Sequence, residues 1–287
     1  MMIERAGVVG SGLMGSGIAE VLARAGLSVV VRDISTEAVE AGRTRITKSL
    51  DRGAERGKIT AEDRDAALSR LTFTTELADL ADCQLVIEAA SENEEIKKVI
   101  FAELDAIVKD EEAILASNTS SMPIVRFAQS TNRPERVLGI HFFNPAPVQP
   151  LVELVVSALT DPAVVDTIEA FAKEVLGKVT IRAQDRPGFV VNALLIPFLF
   201  SAIRMVESGQ ASKEDVDLGM VNGCAHPMGP IALADRVGLD TCLFVGQSIY
   251  EETGDPASKP PVLLSRMVDA GLLGVKSGRG FYDYAKK

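Results

Sequence analysis

Short aliphatic runs and longer stretches with apolar residues every three to four positions alternate along the first two-thirds of the chain. The runs at residues 6–9, 28–32, 71–74, 83–88, 113–117, 136–141, 151–156 and 178–182 read as strands, the one at 83–88 of the type buried on both faces. Between them the period lengthens to that of helices at residues 13–25, 36–56, onward from the Thr60-Ala61-Glu62 cap signal, 93–108, and from Asp161-Pro162 to residue 176. Strands alternating with helices predict a doubly wound, mostly parallel sheet. After Asp185-Arg186-Pro187-Gly188 the pattern is helical alone. Gly209, Gly219, Gly229, Gly238 and Gly254 punctuate it, with Pro227-Met228-Gly229-Pro230 and Lys259-Pro260-Pro261 between candidate helices. The change of period places a boundary near Gln184, giving an α/β domain at residues 1–183 and a smaller all-α domain at residues 184–287. Residues 189–206 are apolar on more than one face, as in a helix buried among others or across a dimer interface.

The first strand runs into Gly10-Ser11-Gly12-Leu13-Met14-Gly15 and then a helix. In a strand–turn–helix of this kind Gly10 permits the turn, Gly12 lets backbone approach a pyrophosphate, and Gly15 allows close packing of helix on strand. The helix start offers free N–H groups and a positive dipole end to phosphates. Asp33 closes the second strand about twenty residues further on, where an acid meets an adenosine ribose. The α/β part is therefore expected to be a Rossmann-type dinucleotide-binding domain. The plainer alternative is a glycine turn with Asp33 as a helix cap. A 2′-phosphate beside this carboxylate would put like charges about 4 Å apart, costing about 4 kcal/mol at an effective dielectric near 20, so NAD is favoured. Arg32 is adjacent and offsets part of that repulsion. Ligands of such sheets sit beyond the carboxyl ends of the strands. Gly10, Asp33, Glu88, Ser117 and His141 all fall at or just past predicted strand ends.

A length of 287 residues agrees with two domains. A net charge of −10 argues against nucleic acid as a partner and leaves any anionic ligand dependent on a local basic patch. One such patch exists at Arg43, Arg45, Lys48, Arg52, Arg56 and Lys58, which is either a solvated helix face or a phosphate site. No apolar run is long enough for a membrane helix, and the N-terminus enters the first strand directly, with no room for a signal peptide. Cys83, Cys224 and Cys242 are too few and scattered for a disulfide framework or a metal cluster, so no metal is expected and a cytoplasmic location fits.

Of the two histidines, His141 ends a strand on the ligand rim, whereas His226 lies in a Gly/Pro-rich turn. Glu153 follows His141 by twelve residues on the next candidate strand, so the two can pair. A carboxylate beside an imidazole orients the ring and favours its protonated form, which suits a group that takes a proton from an alcohol while hydride leaves.

The blocks Gly10-Ser-Gly-Leu-Met-Gly-Ser-Gly-Ile-Ala19, Arg32-Asp33, Val86-Ile-Glu-Ala-Ala90, Ala116-Ser-Asn-Thr-Ser-Ser121 and His141-Phe-Phe-Asn-Pro145 resemble the 3-hydroxyacyl-CoA dehydrogenase family. So do Pro187-Gly-Phe-Val-Val-Asn192, Pro227-Met-Gly-Pro230 and Lys276-Ser-Gly-Arg-Gly-Phe-Tyr282. The blocks run in the family's order over nearly the whole chain, and the length and tail are most similar to its bacterial 3-hydroxybutyryl-CoA dehydrogenases. The resemblance implies reversible NAD-dependent interconversion of (S)-3-hydroxybutyryl-CoA and acetoacetyl-CoA, in short-chain fatty acid or butyrate metabolism. It implies His141 as catalytic base with Glu153 as partner, and Ser120 and Asn192 on the reacting oxygen. Gly10, Gly12, Leu13, Met14, Gly15, Asp33, Glu92, Lys97, Ser120, Asn144 and Lys276 would contact NAD. Ser49, Arg56 and Lys97 would contact CoA, which draws the Arg56 end of the basic cluster toward the phosphate reading. The family commonly has Met-Lys where this chain has Gln149-Pro150. The helical domain is expected to close the substrate cleft and to form a homodimer. Two alternatives keep the cofactor: a dehydrogenase of a free hydroxy acid or sugar acid of the gulonate type, and a nucleotide-binding protein without catalysis.

Overall fold

The structure is a computed structural model and describes residues 3–285. The described residues fall into two compact units, one ending at Asp185 and one beginning at Arg186.

The first unit is built on one eight-stranded sheet in the order β3-β2-β1-β4-β5-β6-β7-β8. The strands are β1 Arg5–Val9, β2 Ser28–Arg32, β3 Leu71–Thr74, β4 Leu85–Glu88, β5 Ile114–Ser117, β6 Val137–Phe142, β7 Leu151–Val156 and β8 Val179–Gln184. Neighbours from β3 through β6 are parallel, β7 turns back antiparallel to β6, and β8 runs parallel to β7. The strand order reverses direction between β1 and β4, the switch point at which such sheets open a ligand crevice. The helices are α1 Leu13–Arg24, α2 Thr36–Glu55, α3 Ala61–Ser69, α4 Glu94–Ile107, α5 Ile124–Ala128 and α6 Pro162–Ala170.

Central strands β1, β4, β5 and β6 are buried almost throughout, which is why they read as unbroken aliphatic runs. Helix α1 buries Ile18 and Leu22 in the main core, which also holds Val8, Val29 and Leu138. Each such side chain contributes about 1.5–3 kcal/mol by leaving water. Phe101 of α4 stacks on Phe127 of α5, with ring centroids 5.3 Å apart.

Three elements depart from the expected ones. Strand β4 starts at Leu85 rather than Cys83, and the side-chain oxygen of Gln84, just before it, accepts from the N–H groups of Glu4 and Arg5 at 2.8 and 3.0 Å. The helix expected to run to residue 176 ends at Ala170 and continues as one π-helical turn, Phe171–Val175. Helix α5 is additional to the elements that the sequence pattern predicts. Its opening N–H groups, on Ile124 and Val125, are capped by the Asp185 carboxylate from some sixty residues away, at 2.7 and 2.8 Å.

The second unit is helical: α7 Val191–Glu207, α8 Lys213–Cys224, α9 Pro230–Val237, α10 Leu239–Thr253 and α11 Val262–Asp269. Ile196, Leu199, Phe200 and Ile203 on one side of α7 pack with Ile231, Leu239, Val245 and Leu264. Buried Asp235 pins the tail to α9, accepting from the Phe281 and Tyr282 N–H groups, both at 2.9 Å, and from the Tyr284 hydroxyl. Its burial pushes that carboxyl above the usual range.

Candidate active site

At the switch point the glycine turn does three separate things. Gly10 has φ +97°, and a Cβ there would lie 2.6 Å from the Ala89 carbonyl oxygen. A Cβ on Gly15 would sit 1.8 Å from the Gly10 carbonyl oxygen, so α1 approaches β1 only with glycine at this place. A Cβ on Gly12 would meet nothing within 4 Å. Gly12 is also the N-cap of α1, with no side chain capping it and no acid in the first turn, and that leaves the helix start open to an anion.

Gly10, Gly12, Leu13 and Met14 line one wall of a cavity of about 1060 Å³. Asp33, Glu92, Lys97 and Ser120 line it too. That volume is at the upper end of small-molecule sites, about 300–1,000 Å³, and suits an extended ligand. Open space over Gly12, an uncapped helix start and an acid at the end of β2 together fit a dinucleotide.

The Asp33 carboxylate is held from three sides. Its Oδ2 accepts from the Ser11 N–H at 2.6 Å and the Ser11 hydroxyl at 2.7 Å, and its Oδ1 from the Ile34 N–H at 2.7 Å. Partial burial works against the charged form, but these hydrogen bonds and the Arg32 charge outweigh it and hold the carboxyl below its ordinary value.

Glu88, fully buried at the end of β4, receives the Lys97 ammonium at 2.7 and 2.9 Å, the Ser117 hydroxyl at 2.7 Å and the Ala90 N–H at 2.7 Å. Lys97 also lies 3.9 Å from Glu92, which accepts from the Thr119 hydroxyl at 2.8 Å. Removing either member would strand a buried charge, at a cost of about 3–5 kcal/mol. Lys97 therefore ties α4 to the sheet as well as lining the cavity, and Glu88 and Ser117 are part of that tie. Sequence position put both at the rim but gave no way to pair them.

Beyond this network stands the imidazole. Antiparallel pairing of β6 and β7 sets His141 directly opposite Glu153, and His141 Nδ1 lies 2.7 Å from Glu153 Oε2 with both side chains buried. On the other side of the ring, Nε2 lies 3.2 Å from the Ser120 hydroxyl. A carboxylate accepts only, so Nδ1 donates to Glu153 and Nε2 is the ring atom turned toward Ser120. Asn118 steadies the strand, its side-chain oxygen accepting from the Phe142 N–H at 2.9 Å, and Phe143 stands edge-on to the imidazole with centroids 4.7 Å apart.

Asn144 follows at the end of this rim, joined to Pro145 by a cis peptide bond. The 146–149 turn beyond it is held by Lys178, whose ammonium donates to the carbonyls of Ala146 and Gln149 at 2.7 and 2.8 Å. Burial and the Arg24 charge lower the Lys178 pKa. A lysine from another part of the chain thus reaches the turn where Gln149-Pro150 departs from the family's pattern. Ser49 and Arg56 are exposed on and just after α2, away from the cavity lining; Ser49 hydrogen-bonds Glu20 of α1. Asn192 and Lys276 belong to the second unit, in the first turn of α7 and in a 3₁₀ turn, with the Lys276 ammonium paired to Asp240. His226 packs against the Phe198 ring, centroids 5.5 Å apart.

Residues 5–186 match the NAD-binding domain of 3-hydroxyacyl-CoA dehydrogenase, and residues 188–284 match its C-terminal domain. The chain belongs to the 3-hydroxyacyl-CoA dehydrogenase family. It is an NAD-dependent oxidoreductase, and the resemblance read from its sequence motifs is borne out. A 3-hydroxybutyryl-CoA dehydrogenase of Mycobacterium tuberculosis is 58% identical over 282 residues, covering 98% of this chain and 99% of that protein. The crystal structure of Mycobacterium tuberculosis FadB2 superposes with a TM-score of 0.98 at 58% identity, covering 99% of this chain and all of that one. That of (S)-3-hydroxybutyryl-CoA dehydrogenase PaaH1 from Ralstonia eutropha gives 0.93 at 46% identity, again over 99% of this chain and 100% of that one. No helix of the described residues is long and apolar enough to cross a membrane.

Proposed function

We propose that the chain interconverts (S)-3-hydroxybutyryl-CoA and acetoacetyl-CoA, with His141 as the group that takes and returns the proton. The observation that carries this reading is the chain Glu153–His141–Ser120: a fully buried carboxylate, an oriented imidazole, and a hydroxyl that itself lines the cofactor cavity. Bound NAD supplies the hydride acceptor. His141 Nε2 accepts the hydroxyl proton as the carbinol is oxidised, and the charge appearing on the ring is met by Glu153. Ser120, already within reach of Nε2, donates to the reacting oxygen, with Asn192 as its second partner. In the opposite direction the imidazolium gives the proton back. Asp33 holds the adenosine ribose, and Glu92, Lys97, Asn144 and Lys276 hold the rest of the cofactor. Ser49 and Arg56 meet the CoA handle, Arg56 offering a forked donor to phosphate. Butyrate and short-chain acyl metabolism is the setting this substrate pair implies, and the working form is a homodimer.

Acetoacetyl-CoA with NADH should turn over, while free acetoacetate should not. His141→Gln should retain NADH binding and lose about 10²- to 10⁴-fold in turnover, the range of positioned acid–base catalysis. Equal activity on the free acid would remove the CoA reading, and near-normal turnover in the variant would remove His141.

A further inference from the structure

Ser11, the middle residue of the glycine turn, joins more of the cofactor wall than any motif reading assigns it. Its N–H and hydroxyl both approach Asp33 Oδ2, at 2.6 and 2.7 Å. The same hydroxyl is 2.8 Å from the Ala38 carbonyl of α2, so its single proton is shared between a carboxylate and a carbonyl oxygen. Its carbonyl accepts from Arg45 of α2 at 2.8 Å and from the Ser16 hydroxyl at 2.7 Å. Helix α2 comes so close that a Cβ on Gly42 would lie 2.5 Å from the Ser11 Cβ. Ser11 is itself buried, so water does not substitute for these bonds.

We propose that Ser11 is a positioning residue that sets the cofactor's specificity: by clamping Asp33 Oδ2 it makes the carboxylate an immobile wall against a 2′-phosphate. An acid at the end of β2 rejects that phosphate only if it stays put. With Oδ2 held by two Ser11 donors and Oδ1 by Ile34, swinging aside would break three hydrogen bonds to an ionised group. The nearby cations do not undo the wall. The Arg45 guanidinium is anchored on the Ser11 carbonyl, and Arg32 Nε donates to the Thr75 carbonyl at 3.1 Å. Losing the hydroxyl leaves only the backbone donor on Oδ2 and frees the side chain to turn away.

This inference rests on the reading of Asp33 as the ribose acid, and the test uses binary complexes so that the acyl substrate plays no part. Dissociation constants for NADH and NADPH are measured by nicotinamide fluorescence for wild type, Ser11→Ala, Asp33→Asn and the double variant. Ser11→Ala should lower the ratio Kd(NADPH)/Kd(NADH) by about tenfold, the worth of one hydrogen bond to a charged group. In the Asp33→Asn background the same change should move the ratio less than about twofold, because its route is gone. Loss of affinity for both dinucleotides in equal measure would mark a merely structural role and overturn the proposal. Should the alanine variant not fold, Ser11→Cys keeps the side chain's bulk with a weaker donor and must still narrow the ratio. Wild-type protein that did not discriminate at all would sink the reading of Asp33 and this inference with it. A discriminating wild type with an equally discriminating Ser11→Ala variant would sink Ser11 alone.

Discussion

Gly12 and Gly15 stand three residues apart in one turn and differ in what each tolerates. A methyl group on Gly15 must enter the Gly10 carbonyl, so Gly15→Ala should cost about 3 kcal/mol or more by overpacking. On Gly12 it would enter open space at the cavity wall, so Gly12→Ala should change stability by no more than about 1 kcal/mol. Its NADH dissociation constant should nonetheless rise about tenfold, or 1.4 kcal/mol. Thermal melts beside fluorescence titrations separate the two, and a Gly12→Ala protein with unchanged affinity would take the pyrophosphate away from this turn. Both glycines are legible in the sequence, because a glycine's function lies in the side chain it lacks. Ser11 is not: its partners Ala38, Gly42 and Arg45 are brought to it by the packing of α2, and nothing in their spacing announces it.

Period alone decides most elements of this chain, and a distant group decides the rest. Each of the eight strands coincides with a short run that the sequence marks as extended. Helix α5 is not marked by period, since its cap, Asp185, arrives from the end of β8. The β8 edge is held to α6 by a charge cluster whose strength depends on pH. Glu169 accepts from Lys173 at 2.7 Å, from Arg182 Nε at 2.9 Å and from the Thr180 hydroxyl at 3.2 Å. The hydrogen bond from Lys173, then that from Arg182, lowers its pKa from the ordinary 4.5 to about 2. Between those values the unfolded chain binds the proton that the folded one refuses, so this contribution is full above pH 4.5 and fades as pH falls toward about 2. The gap in urea midpoint between wild type and Glu169→Gln should therefore narrow over that interval. A gap that stays constant from pH 5 to pH 2 would mean that the cluster adds nothing of the kind.

Across the whole molecule, each unit closes its own core, but the second leaves apolar surface uncovered. Helix α8 buries none of its residues, Leu218 on it is 60% exposed, and Leu194 on α7 is 73% exposed. The period of residues 189–206 gives a helix with more than one apolar face. We expect these faces to meet in a second copy of the chain, because a two-fold contact buries the same patch twice. Sedimentation should give twice the mass of 30.6 kDa, and an active species of single mass would refute the dimer.

The sequence by itself determined the alternation of strands and helices, the strand count, the glycine turn and the place of His141 near a strand end, because these follow from local period and from residues whose chemistry needs no neighbour. Tertiary structure alone decided who touches whom. Antiparallel return of β7 set Glu153 opposite His141, closure of α4 on the sheet gave Lys97 to Glu88, and the approach of α2 locked Ser11 onto Asp33. The physical reason is range: periodicity is written in steps of two to four residues, whereas a hydrogen bond or buried ion pair is fixed only when packing brings distant segments within about 3 Å.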